Sequence, residues 1–131
     1  MADSEIERVA GALAGCSDIL AGELRSIMSD WLPDVPPPVV RMGALGTALV
    51  GGVGHVTNDQ LEQIARIVEA VLENGTENEK TAVATGFLEA VLSAADTKAD
   101  AVRFFCRIGP RTRQYCQEWD SFCGTRTLGV W

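Results

Sequence analysis

Apolar and polar positions along this chain alternate with the period of a helix almost from end to end. The clearest case is residues 58–74, where Leu61, Ile64, Ala65, Val68, Val71 and Leu72 share one face and Asp59, Glu62, Arg66, Glu69 and Glu73 the other. Helix punctuation frames such runs. Ser4-Glu5-Ile6-Glu7, Thr57-Asn58-Asp59-Gln60 and Thr76-Glu77-Asn78-Glu79 have the capping-box spacing, in which a hydroxyl takes a free backbone N–H and the fourth side chain reaches back. Thr97-Lys98-Ala99-Asp100 is a weaker version. Asn74-Gly75, Gly109 and Gly124 are stop signals, and Pro110 suits a first helical turn.

These signals predict helices near residues 4–14, 18–31, 38–51, 58–74, 77–95, 98–108 and 110–123. "PDVPPP" (33–38) is a stiff connector and "GGVGH" (51–55) a flexible one. No period-2 strand pattern stands out. The expected fold class is all-α: a single domain over residues 1–131, built as an irregular bundle of six to seven helices. In the last helix Tyr115, Cys116, Trp119, Phe122 and Cys123 read as a core stripe, which would point Cys116 and Cys123 the same way.

Charge adds an asymmetry. Eighteen acidic and eleven basic side chains give a net charge of −7. Residues 1–97 hold fifteen acids and five bases, whereas residues 98–131 hold six bases and three acids, so the segments carry −10 and +3. The acidic balance opposes general nucleic-acid binding, which needs clustered Lys and Arg. It suits docking on a basic partner. "RFFCRIGPRTRQYCQEW" interleaves Arg with aromatics, but phasing puts Phe104, Phe105, Ile108, Tyr115 and Trp119 inside and Arg103, Arg107 and Arg111 outside. Ion pairing of those arginines with the acidic N-terminal portion is the expectation. "MADSEIERVA" has neither a basic n-region nor an apolar h-region, so no signal peptide is expected and the cytoplasm is the expected compartment. No apolar stretch approaches the ~20 residues of a membrane span.

Candidate chemistry is sparse. Cys16, Cys106, Cys116 and Cys123 form no C-x-x-C, and the single histidine, His55, is distant from them in sequence, so neither a metal nor another cofactor is expected and the thiols read as reduced core residues. Nucleophilic catalysis needs an oriented base, and only His55 is available for it. "GALGTALVGGVGH" matches no phosphate-binding motif; Gly43 and Gly46 fit close helix packing instead. No catalytic residue is assigned, and a non-enzymatic role is expected. What remains is an acidic stripe, Asp59, Glu62, Glu69 and Glu73, continued by Glu77 and Glu79 at the next helix start. As a solvated face it needs no function; as an anionic docking ridge it would steer a basic partner.

"LEQIARIVEAVLENGTENEKTAVATGFLEAVL" resembles a widespread type of small bacterial helical domain, with Val83, Phe87, Leu88 and Glu89 as an apolar-x-x-x-F-L-E signature. Gly109, Pro110, Tyr115, Trp119 and Phe122 match its "GP-x-x-(aromatic)" segment and final W-x-x-F helix, so the resemblance covers about residues 38–123. Such domains resemble immunity proteins encoded beside secreted polymorphic or contact-dependent toxins. The resemblance implies a cytoplasmic protein that binds and neutralises one cognate toxin domain with a basic cleft, without membrane or nucleic-acid partners. It carries over no binding residue. A helical regulatory or adaptor module with no toxin partner is the alternative. Glu89 falls on the far side of its wheel from Val83, Phe87, Leu88 and Val91, among the small residues Ala82, Thr85, Gly86 and Ser93. It is expected to tie down an arginine or a backbone N–H, on a face bare enough for close approach.

Overall fold

In the computed structural model, which describes residues 2–95 and 99–131, the chain is all-α, with seven helices and no strand among the described residues. They are α1 (Ala2–Ala14), α2 (Asp18–Asp30), α3 (Pro38–Gly51), α4 (Asn58–Asn74), α5 (residues 77–95), α6 (Val102–Phe105) and α7 (Pro110–Cys123). Two short 3₁₀ turns, Val53–His55 and Ala99–Ala101, precede α4 and α6. The Thr76 and Thr57 capping boxes both form, with hydroxyl and side-chain acceptor bonds in place. The Thr97-Lys98 part of the weaker cap lies outside the described residues.

α3 and α5 form the centre of the fold. α3 buries Met42, Leu45, Gly46, Leu49 and Val50, and α5 buries Val83, Gly86, Phe87, Leu88, Val91 and Leu92. Their approach is set by two glycines. A Cβ on Gly46 would stand 2.4 Å from the Phe87 carbonyl oxygen, and one on Gly86 would stand 2.8 Å from Met42 Cβ. The bare face of α5 therefore receives α3. Gly46 is a close-packing position as expected; Gly43 is not, since its nearest neighbour is an ordinary 3.7 Å away.

Three expectations change. α5 is not uniformly α-helical: Ala82–Leu88 is π-helical, between α-helical Glu77–Thr81 and Glu89–Ala95. Its wider i→i+5 turns advance less per residue, which rotates Glu89 from its place on a 100° wheel. The helix expected over 98–108 is only a single turn at Val102–Phe105. The Arg107 guanidinium bonds the Arg103 carbonyl, and the Arg107 N–H falls back to Phe104 O at 2.9 Å, a 3₁₀-type bond.

The third change is in α7. Its buried positions are Thr112, Cys116 and Asp120, with Tyr115 and Trp119 half-buried beside them, while Phe122 is 92% exposed and Cys123 is exposed. The stripe therefore centres on Asp120 rather than on Phe122, which two residues later lies about 200° around the helix. Asp120 is inside because the C-terminal segment returns over it. Gly124, at φ +71, ends α7 in a left-handed turn that glycine enters without strain, and Val130 is fully buried. Asp120 Oδ2 accepts from the Thr127 N–H (2.7 Å) and the Trp131 indole (3.0 Å). Its Oδ1 accepts from the Thr127 (2.7 Å) and Thr125 (3.1 Å) hydroxyls. Arg113 adds bonds to the Gly129, Val130 and Phe105 carbonyls.

Candidate functional site

The acidic stripe is organised by α4. Its apolar face, Leu61, Ile64, Ala65 and Val68, is buried, which turns Asp59, Glu62, Arg66 and Glu73 outward to solvent. Glu62 pairs with Arg66 one turn on, at 2.8 Å. Glu77 follows on α5 with its carboxylate in water, 3.8 Å from Lys80.

Two of the six predicted ridge residues belong to the fold instead. Glu69 reaches across to the start of α7. Its Oε1 accepts from the Thr112 N–H (2.9 Å) and hydroxyl (2.8 Å), and its Oε2 from the Arg111 N–H (3.1 Å). Helix starts leave such N–H groups unpaired. Gly109, the N-cap residue, has no side chain to supply, so a carboxylate from another helix caps α7. A Cβ there would lie 2.5 Å from Glu69 Cδ, so a larger residue would have to push that carboxylate aside. Burial alone would raise the Glu69 pKa; the donors from Thr112 and Arg111 outweigh it and hold the carboxyl below its ordinary value.

Glu79 is only 6% exposed. It accepts from the Thr76 N–H (2.8 Å) and from Arg8 (3.0 Å), which fastens α1 to the start of α5. The Thr76 N–H first, and Arg8 after it, lower its pKa against the effect of burial. Glu5 accepts from the Thr76 hydroxyl at the same junction.

The open part of the ridge is therefore Asp59, Glu62, Glu73 and Glu77. Beside Glu73 and Glu69 lies a shallow cleft of about 260 Å³ between α4 and the turn into α7, lined also by Arg66, Arg107 and Gly109. Exposed carboxylates along α4 and the start of α5 suit recognition of cationic groups.

The arginine-rich end does not pair with the acidic portion as expected. Among the described residues the ion pairs are Arg8–Glu79, Arg66–Glu62 and Lys80–Glu77. Arg103 instead binds the Val53 (2.8 Å) and Val56 (2.7 Å) carbonyls and Asn58 Oδ1, locking α6 to the loop before α4. The Val53 carbonyl also accepts from the Val56 N–H at 3.2 Å, and a fixed guanidinium fork reaches several such acceptors at once.

The remaining candidates also have places. His55 is exposed in its 3₁₀ turn. Of the thiols, Cys16 and Cys116 are buried and Cys106 and Cys123 are exposed, so only two of the four are core residues. Burial, reinforced by Asp120, pushes the Cys116 pKa up to about 12. No group of three or more potential metal-binding side chains occurs among the described residues. Among the described residues neither an arginine nor an N–H binds Glu89: the Tyr115 hydroxyl donates to its Oε2 at 2.5 Å, the length of a charge-assisted bond. Burial and that carboxylate together raise the Tyr115 pKa.

Sequence reasoning passed over Arg41 and Asp120, the two buried charged residues among the described ones with no place in an expected ridge or core stripe. Arg41 had a signal: it is the only Asp, Glu, Lys or Arg between Asp34 and Asp59. Asp120 had none, because its donors come from a segment without periodicity. Comparison with family models, with curated proteins and with solved structures finds no match to this chain.

Proposed function

We propose that this protein acts by binding another protein, as a cytoplasmic immunity-type inhibitor that neutralises a cognate bacterial toxin domain. The observation that supports this reading is the open carboxylate ridge of Asp59, Glu62, Glu73 and Glu77, which runs along α4 and onto the start of α5, with the buried face and caps of α4 keeping it in one orientation. Such a ridge raises the encounter rate with a cationic cleft and rejects acidic surfaces. Affinity would come from a few well-packed contacts around it.

The test is co-expression with the product of the reading frame immediately upstream, the expected place of a toxin domain. Rescue of growth and a co-purified complex whose association slows steeply with salt support the reading. With the ridge reversed (Asp59→Lys, Glu62→Lys, Glu73→Lys, Glu77→Lys), rescue should fail while the helical content stays. A folded wild-type protein that neither rescues nor co-purifies overturns it.

An adaptor role without a toxin is favoured by a different surface. Leu32 (72% exposed), Val35, Val39 and Val40 put apolar side chains in water along the connector and the start of α3. A complex lost on Leu32→Asp and indifferent to the ridge reversal selects this second reading.

A further inference from the structure

Arg41 is 1% exposed, the largest side chain among those fully buried. It sits in the first turns of α3, and helical side chains lean toward the N-terminus, so its guanidinium folds back beneath the connector. There Nη2 donates to the Pro36 carbonyl at 3.2 Å, and Nε has no partner at all. None of the ion pairs among the described residues includes it. A cation taken out of water without a counter-charge is unfavourable, and buried guanidinium groups are ordinarily paired. The start of α3 adds to the positive field, for no side chain caps it.

Arg41, though buried, lines an open cleft of about 230 Å³ whose other walls are Ala10 of α1, Leu24 and Met28 of α2, and Glu7 at α1's exposed surface. A buried guanidinium that keeps one N–H unpartnered, beside an apolar-walled cleft, is complementary to one kind of group. We propose that this cleft is a receptor site for a carboxylate carried on a short apolar chain. The two carboxylate oxygens pair with the Arg41 fork, a planar match that lysine lacks. Leu24, Met28 and Ala10 cover the chain. The volume is below the roughly 300–1,000 Å³ of ordinary ligand pockets, which limits the occupant to a short-chain acid or one acidic side chain of a bound peptide. Glu7 is the like charge such a ligand meets on entry. The site shares no residue with the acidic ridge and stands or falls apart from it.

The unpartnered atom supplies its own probe, because an arginine Nε–H gives a separate nitrogen–proton NMR signal. The wild-type protein is titrated with sodium butanoate, with butanol and with sodium chloride at matched ionic strength, and with an acetylated, amidated peptide carrying one glutamate. The Arg41 signal, assigned through its bonded side-chain carbons, is expected to move saturably with butanoate or the peptide and not with the two controls. The stronger of the two names the source, free acid or side chain. Glu7→Gln should tighten that binding by about two- to fivefold by removing the like charge, and Arg41→Lys should abolish it. The proposal is overturned if neither carboxylate moves the signal saturably, or if chloride moves it as far. It is also overturned if Glu7→Gln displaces the ligand-free Arg41 signal, which would make Glu7 its resident partner. The wild-type titration decides the matter even if Arg41→Lys does not fold.

Discussion

Gly46 and Gly43 stand three residues apart on α3, and replacing each with alanine should move stability in opposite directions. At Gly46 the added Cβ lies 2.4 Å from the Phe87 carbonyl oxygen, 3.1 Å from Ala90 Cβ and 3.3 Å from the Phe87 carbonyl carbon. Ordinary contact is 3.4–4 Å, and the obstacle is backbone, so no side-chain rotation relieves it. α3 and α5 would have to part by about an ångström, enough to forfeit a quarter to a half of each dispersion contact along their seam. Overpacking of this kind costs about 1–3 kcal/mol, and a clash with backbone belongs at the upper end. Alanine's better helix propensity returns about 1 kcal/mol, leaving Gly46→Ala destabilised by about 2 kcal/mol. Gly43 has only the Gly86 carbonyl oxygen, at 3.7 Å, so Gly43→Ala keeps the propensity gain and is stabilised by ~0.5–1 kcal/mol. For a domain of this size the two variants should melt about 10 °C apart. Urea and thermal unfolding followed by helical circular dichroism measure both. If Gly46→Ala is as stable as the wild type, or if the two changes share a sign, the α3–α5 approach described here is wrong.

Asp120→Ala strands the Thr127 N–H and the Trp131 indole and should cost about 2–4 kcal/mol, with Trp131 fluorescence moving toward that of a water-exposed indole. Glu69→Ala uncaps α7 and should cost about 1–3 kcal/mol; hydrogen exchange at the Arg111 and Thr112 amides should accelerate most. Acid sensitivity follows from the same carboxylates. Asp120 is held below its ordinary pKa because its Thr127, Trp131 and Thr125 donors outweigh burial, and Glu69 and Glu79 are lowered as well. The unfolded chain therefore binds protons at higher pH than the folded one. Stability is full above the unfolded carboxylate range of about pH 4–5 and is lost as pH falls through the lower folded values. Asp120→Asn should flatten that acid limb in urea midpoints measured against pH. In the folded protein a thiol reagent should label Cys106 and Cys123 quickly, whereas Cys16 and Cys116 should react only on unfolding.

Where a feature depended on near neighbours in the chain, it was legible. The 58–74 helix, its Thr57 cap and its two faces follow from spacings of three and four, because a helix satisfies its backbone locally and sorts side chains by a fixed angle. The all-α class and the starts and stops of six of the seven helices, to within two residues, rest on the same ground. The ridge was half legible for a related reason: outward direction is local, but whether an outward carboxylate meets water or another helix is not. Asp59, Glu62, Glu73 and Glu77 meet water; Glu69 meets the start of α7, and Glu79 meets Arg8 of α1.

Only the tertiary structure decided the rest. The phase of α7 was set by residues 125–131, which have no periodicity to read, and their four donors drew Asp120 inward and left Phe122 in solvent. The arginines of the C-terminal part took carbonyl oxygens presented by nearby turns, acceptors that the amino-acid sequence does not display. Arg41 was visible as a lone charge in an apolar helix. That it is buried without a counter-charge beside an open cleft emerged once α1, α2 and α3 enclosed it. Local backbone chemistry determines which segments are helices and which way each side chain sets out; the partner a charged group meets depends on which distant segment is packed against it.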